Sequence, residues 1–243
     1  MQNEKNKTAL VFGGSRGIGA AAVERLAREG FAVAFTYVSR PDAAEALVEK
    51  LTAAGGTALA IQADSADPAA IRTAVEQAVA HFGGLDAVVV NAGILRMGPI
   101  ESVSLEELDQ MLAINVRGVF LAIQAAAVHL PEGGRIITIG SNTAVRTGHP
   151  GTSVYQFTKA AVAAMVKGIA LDLAARDITV NNVQPGPIDT DMNAGAIEML
   201  AGKSPMRRVG SPAEIAGLIA YLAGPEAGYM TGESITIDGG WVL

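Results

Sequence analysis

Tyr155 and Lys159 stand four residues apart at the head of an apolar, alanine-rich stretch that reads as a helix over residues 155–175. Residues i and i+4 share a helix face, so the Lys159 ammonium can sit beneath the Tyr155 phenol and lower its pKa. A phenol so placed exchanges a proton with a carbonyl or hydroxyl oxygen near neutral pH. A Tyr-x-x-x-Lys spacing by itself arises by chance, but two more polar residues accompany this one. Ser141 follows a strand-like run over residues 135–140, where a loop would leave the carboxyl end of a sheet, and its hydroxyl can hold a substrate oxygen. Asn115 lies inside a helical stretch over residues 105–129, although Asn is a mediocre helix former. It can hold a water that relays protons to Lys159, or bond locally to the backbone.

A glycine cluster, Val11-Phe12-Gly13-Gly14-Ser15-Arg16-Gly17-Ile18-Gly19, joins the first predicted strand to the first predicted helix. Gly13 permits a tight turn, Gly17 lets backbone approach a diphosphate, and Gly19 allows close helix–strand packing. The helix start then offers free N–H groups and a positive dipole end to phosphates. The spacing is G-x-x-x-G-x-G rather than G-x-G-x-x-G, and its position between strand and helix is what makes it informative. An NAD site expects an acidic residue roughly 20 positions further on, at the end of the second strand. That strand ends Phe35-Thr36-Tyr37-Val38-Ser39-Arg40, with no carboxylate before Asp42. Arg16 and Arg40 supply positive charge and Ser39 a hydrogen-bond donor for a 2′-phosphate, so the expected cofactor is NADP(H). Its cationic oxidised nicotinamide would push the Tyr155 pKa down as well.

The elements that must position these residues alternate. Residues 9–12, 32–37, 57–62, 87–91, 135–140, 179–184 and 234–237 read as strands, and their near-continuous apolarity implies burial on both faces of a parallel sheet. Between them, residues 19–29, 43–54, 68–82, 105–129, 155–175 and 212–223 read as helices. Asp67-Pro68 and Ser211-Pro212 each place a capping side chain before a proline, and Ser104 with Glu107 forms a capping box. The pattern predicts an α/β protein: a single-domain Rossmann fold over residues 1–243, with a doubly wound parallel sheet of about seven strands and helices on both faces. The one interruption, residues 191–210, carries Met192, Met199 and Met206 and reads as a mobile lid over a substrate.

Composition closes off other functions. Half of the residues are hydrophobic, only 17% are charged and 5% aromatic, which calls for an aliphatic core. A net charge of −6 argues against nucleic acid or an anionic membrane as a partner. There is no cysteine, and His81, His129 and His149 lie far apart, so no metal site is expected. Residues 1–8 are polar and show no signal peptide, and the apolar stretch over residues 119–130 is too short to span a bilayer. The expected location is the cytoplasm.

Together these residues resemble the short-chain dehydrogenase/reductase family, in its single-domain branch, over essentially the whole chain. Gly13, Gly17 and Gly19 match its cofactor loop, which also takes in Ser15, Arg16 and Ile18. Asn115, Ser141, Tyr155 and Lys159 match its catalytic tetrad. Asn91-Ala92-Gly93 matches its fourth-strand motif, and Asp64, with Ser65, its adenine contact. Pro185-Gly186-Pro187-Ile188-Asp189-Thr190 matches its nicotinamide loop, and Thr231-Gly232 and Asp238-Gly239-Gly240 its C-terminal segment. The resemblance implies that Tyr37, Ser39 and Arg40 line the adenosine ribose, that Lys159 holds the nicotinamide ribose, and that Ile188 and Thr190 meet the carboxamide. Two positions depart: Phe12 stands where the family has Thr, removing a hydroxyl that commonly bridges the turn to the fourth strand, and Val90 stands where it has Asn.

The resemblance implies reversible, NADPH-dependent reduction of a ketone, keto ester or related carbonyl to a secondary alcohol, with Ser141 and Tyr155 on the carbonyl oxygen. Ile94, Leu95, Val145, Met192 and Met199 are candidates for an apolar pocket. Similar family members reduce 3-oxoacyl groups on an acidic carrier protein, and Arg176 fits the basic patch that docking needs. Residues 129–134 lack the usual basic cluster, which favours a small free carbonyl substrate. The chain is also similar to cyclic-di-GMP-binding members of the family, which would use the same cleft for binding alone; an intact tetrad favours the enzyme. Alanine-rich helices and an apolar end around Trp241 imply a homotetramer, or a dimer.

Overall fold

The structure is a computed structural model, and it describes residues 7–243. The polar stretch expected to carry no signal peptide therefore lies almost wholly outside the described residues.

Seven parallel strands form one sheet in the order β3-β2-β1-β4-β5-β6-β7. They are β1 (Thr8–Phe12), β2 (Ala32–Tyr37), β3 (Ala58–Gln62), β4 (Ala87–Val90), β5 (Arg135–Ile139), β6 (Thr179–Pro185) and β7 (Ser234–Ile237). Side chains alternate across the pleat, so each inner strand feeds two cores. Leu10 and Phe12 of β1 join Val88, Val90 and Ile136 on one face, where Ile71, Val75, Ile123, Val162 and Val166 cover them. Ala9 and Val11 join Val33, Phe35, Val89 and Ile137 on the other, under Val23, Leu26, Leu47, Ile215 and Ile219. Continuous apolar runs were the signature of this double burial.

The helices on the first face are α3 (Pro68–Phe82), the stretch Leu105–Ala127, and α6 (Ser153–Leu173); those on the second are α1 (Gly17–Arg28), α2 (Pro41–Ala53) and α8 (Pro212–Ala223). The expected caps are present. Asp67 accepts the Ala69 N–H at 2.8 Å, and Ser104 with Glu107 and Ser211 with Glu214 form capping boxes. Leu105–Ala127 is not one regular helix. It runs as α4 (Leu105–Leu112), a π-helical turn (Ala113–Gly118) and α5 (Val119–Ala127). Among the described residues it is the helix long and apolar enough to cross a membrane, yet Met111, Val119, Ala122, Ile123 and Ala126 bury one of its faces in the core. Residues 191–210, expected as an irregular loop, contain a short helix, α7 (Ile197–Lys203). The ends of this excursion are clamped together, since Asp189 N–H donates to the Gly210 carbonyl and Gly210 N–H to the Pro187 carbonyl.

Candidate active site

In a parallel α/β sheet the strand ends with their following loops make a crevice at the carboxyl edge. At β1 the chain turns through Gly13, whose φ of +72° suits glycine. Three neighbours grip it: Gly13 N–H donates to the Thr36 hydroxyl at 2.9 Å, the Asn91 amide donates to the Gly13 carbonyl at 2.8 Å, and Ala92 packs against it. The Asn91 side chain thus bridges the turn to the fourth strand, where Phe12 offers no hydroxyl to do so. Thr36, a hydroxyl buried in an otherwise apolar strand, was the sequence signal for the first grip. A Cβ on Gly19 would stand 2.0 Å from the Gly13 carbonyl oxygen, so the close helix–strand packing expected there is present. Gly17 has φ +54° and faces Thr190, where a Cβ would come within 3.3 Å of the Thr190 methyl. Arg16 is the N-cap residue of α1 but its side chain makes no cap bond, which leaves the first-turn N–H groups to an anion. Ser15 and Ile18 flank this opening, Ile18 with its side chain against the core.

The corner expected to read a 2′-phosphate holds Tyr37 half-buried and Ser39 and Arg40 exposed at the end of β2. Neither arginine is free. Arg40 donates to both carboxylate oxygens of Asp42, at 2.9 and 3.0 Å, and Arg16 pairs with Asp191 at 3.5 Å. Both pairs are exposed, and such pairs contribute little in water, so a phosphate can displace them. Asp64 accepts the Ala66 N–H at 2.8 Å and is otherwise exposed, while Ser65 is buried beside it.

Ser141 leaves β5 at the start of a tight turn, Asn142–Ala144. Its oxygen accepts from the Thr143 N–H at 3.2 Å and from the Thr143 hydroxyl at 2.9 Å. Tyr155 and Lys159 lie one turn apart near the start of α6. The Lys159 ammonium is buried, donates to the Ile139 carbonyl at 2.9 Å and lies 5.7 Å from the centre of the Tyr155 ring. Burial pushes Lys159 down to about 8. Burial also pushes the Tyr155 phenol up, opposed by a hydrogen bond with Ser141. The net direction is thus opposite to the lowering expected from Lys159: without a bound cofactor, burial of the phenol outweighs what favours the phenolate. Gly93 lies alongside, since a Cβ on it would stand 3.3 Å from the Lys159 nitrogen.

Asn115 sits in the π-helical turn, an irregularity frequent at functional sites. Its amide accepts from the Ile94 N–H and donates to the Ile94 carbonyl, both at 2.9 Å, and also reaches the Thr158 hydroxyl at 3.3 Å. The side chain therefore holds the loop after β4 to two helices.

Pro185 ends β6, and Gly186 packs so tightly on Asp238 that a Cβ would come within 2.5 Å of that residue's Cβ. The Ile188 side chain is in the core, so only its backbone can meet a carboxamide; Thr190 points toward Gly17. Asp238 accepts from Gly240 and Val242 N–H groups and from the Asn142 amide, tying the C-terminal segment to the turn after Ser141. Ile94 and Leu95 are half-buried; Val145, Met192 and Met199 are exposed. Arg176, expected on a basic docking patch, instead donates to the Ala127 and Leu130 carbonyls at the end of α5. Sequence spacing gave no hint of that, because the acceptors are backbone groups roughly a strand and a helix away in the chain.

A glycine turn gripped by β2 and β4, an uncapped helix start and a Ser–Tyr–Lys cluster at one sheet edge define a nucleotide-dependent α/β protein. Residues 13–242 match the family model described as Enoyl-(Acyl carrier protein) reductase, and the chain belongs to the short-chain dehydrogenase/reductase family. Among curated relatives it is 44% identical to the cyclic-di-GMP-binding biofilm dispersal mediator protein of Escherichia coli K12, over 96% of each chain. It is 40% identical to a versicolorin reductase of Emericella nidulans, over 96% of this chain and 95% of the other. Among solved structures it is similar to a blue fluorescent protein from a metagenomic library in complex with NADPH, at 50% identity, a TM-score of 0.95 and full coverage of both chains.

Proposed function

We propose that this chain uses NADPH to reduce a small free ketone, keto ester or keto acid to a secondary alcohol, reversibly. The observation that carries the reading is the cluster at the sheet edge: Tyr155 with the buried Lys159 ammonium 5.7 Å from its ring, beside Ser141 at the end of β5. The uncapped start of α1 beside Gly17 fits a diphosphate, and Arg16, Ser39 and Arg40 fit a 2′-phosphate. The similar structure that carries NADPH supports the same cofactor.

The reduced nicotinamide, bound there, supplies a hydride. Ser141 and Tyr155 hold the carbonyl oxygen between them, which fixes the carbon and stabilises negative charge as it develops. Tyr155 then gives that oxygen its proton. Lys159, in its charged form, steadies the phenolate left behind and is close enough to Gly93 to reach a ribose at the same edge. Asn115 keeps the Ile94 loop in place beside them. In oxidation the order reverses and Tyr155 accepts the proton.

Residues 191–210 act in this reading as a substrate lid, with Met192 and Met199 as its exposed apolar surface. A carrier-bound acyl substrate is disfavoured, because Arg176 is committed to backbone. The location is the cytoplasm. The assembly is a homotetramer or a dimer, and the exposed apolar Leu105 and Phe120 on the long helix and Phe157 and Leu171 on α6 support association. The 44% identity to a cyclic-di-GMP-binding relative supports a second reading in which the cleft binds a nucleotide without turnover.

Oxidation of NADPH and NADH against a panel of ketones and keto esters separates these. NADPH-dependent turnover is expected, and Tyr155→Phe should lower it by about 100-fold or more. Preference for NADH would contradict the roles of Arg16 and Arg40. Tight cyclic-di-GMP binding with no turnover would favour the second reading.

A further inference from the structure

A serine that is to hold a substrate oxygen is useful only if its hydrogen points at that oxygen. A hydroxyl has one hydrogen and two acceptor lone pairs. Both acceptor sites of Ser141 are taken by the same residue: the Thr143 N–H donates at 3.2 Å and the Thr143 hydroxyl at 2.9 Å. Ser141 is thereby left with its own proton to give. The Ser141 hydroxyl beside Tyr155 favours the phenolate.

We propose that Thr143 is a positioning residue: by filling both acceptor sites of Ser141, it keeps the Ser141 hydroxyl aimed as a donor at the oxygen that gains charge. The proposal rests on the reductase reading of the site. The geometry is built in. Thr143 is the middle residue of the turn Asn142–Ala144, which Ser141 itself starts, and it is half-buried. The Ala144 N–H closes back onto the Ser141 carbonyl at 3.1 Å, and the Asn142 amide is tied to the Asp238 carboxylate at 3.2 Å. The turn therefore has little freedom to swing the Thr143 hydroxyl away. Donation from Thr143 also polarises Ser141, so the chain Thr143 to Ser141 to Tyr155 strengthens along its length. Without the hydroxyl, Ser141 has an open lone pair and its hydrogen is free to rotate.

Thr143→Val keeps the shape and the N–H bond and removes only the hydroxyl. Its kcat for NADPH-dependent ketone reduction should fall roughly three- to tenfold, the worth of one neutral hydrogen bond. The KM for NADPH should not move, and Thr143→Ser should restore the rate. In a Ser141→Ala background Thr143→Val should cost nothing further. A second readout needs no turnover. The phenolate absorbance of the NADP-bound protein, minus that of Tyr155→Phe, follows the Tyr155 titration, which Thr143→Val should shift to higher pH. Wild-type kcat with an unshifted titration in Thr143→Val would overturn the proposal, as would an equal loss with and without Ser141. A wild-type protein that reduces no ketone but shows the shift would refute the reductase reading and leave the Thr143 geometry standing. Should Thr143→Val fail to fold, Thr143→Ala, checked by NADPH binding, is read in the same way.

Discussion

Lys159 carries its charge on narrow terms. It is buried, with a backbone carbonyl and an aromatic ring as neighbours, and its pKa has dropped to about 8 against an ordinary 10.5. An anionic dinucleotide bound at the same edge favours the ammonium and raises that pKa again, so binding takes up protons. The sign follows: free protein holds fewer protons than the complex above the lower pKa, and NADPH affinity falls as pH rises through about 8. Fluorescence titrations of NADPH across this range should show the weakening in wild-type protein and a flat profile in Lys159→Met. The carboxylate partners of the two arginines give a second expectation. Asp42→Asn removes the acceptor that occupies Arg40 and a negative charge from the phosphate corner. The KM for NADPH should drop by a few-fold, about the worth of an exposed ion pair, while that for NADH stays unchanged. At Tyr155 itself, Tyr155→Phe should lower kcat by about 100-fold or more and leave NADPH binding intact, since only proton transfer is lost.

Helices and strands were legible wherever local pattern and caps agreed. Asp67 and Ser211 ahead of prolines, and Ser104 with Glu107, marked the starts of α3, α8 and α4 at the residues where the structure has them. Seven apolar runs became seven strands because a doubly covered parallel sheet buries both faces. The π-helical turn was not legible: its cause is tertiary, the two-way amide bond from Asn115 to the Ile94 backbone, and nothing in helix periodicity encodes it. The same holds for the charge partners of Arg16 and Arg40 and for the backbone acceptors of Arg176, which depend on how loops meet. Asn115→Ala tests the π-turn account. It leaves the Ile94 N–H and carbonyl without partners, at a cost of about 1–3 kcal/mol. Thermal unfolding should move down by roughly 2–4 °C per kcal/mol in a chain of this size. Turnover should fall as well, because the loop beside Lys159 loses its anchor.

At the scale of the whole molecule, one sheet edge serves two tasks. The first half of the sheet, β1 to β3 with α1 and α2, presents the glycine turn and the arginines; β4 to β6 with the long helices present Asn115, Ser141, Tyr155 and Lys159. The two halves meet where Asn91 of the β4 end holds Gly13 of the β1 turn, and where Thr190 after β6 meets Gly17. A dinucleotide lying across that junction has its phosphates on one half and its reactive ring on the other. Direct transfer of hydride to a carbonyl carbon is the central consequence. The measurement is reduction of the best ketone of the panel with NADPH deuterated at both C4 positions, followed by mass spectrometry of the alcohol. The account predicts deuterium on the carbinol carbon with wild-type protein and unlabelled, unreduced ketone with Tyr155→Phe. Saturating NADPH binding with no deuterium in any product across the panel would contradict it.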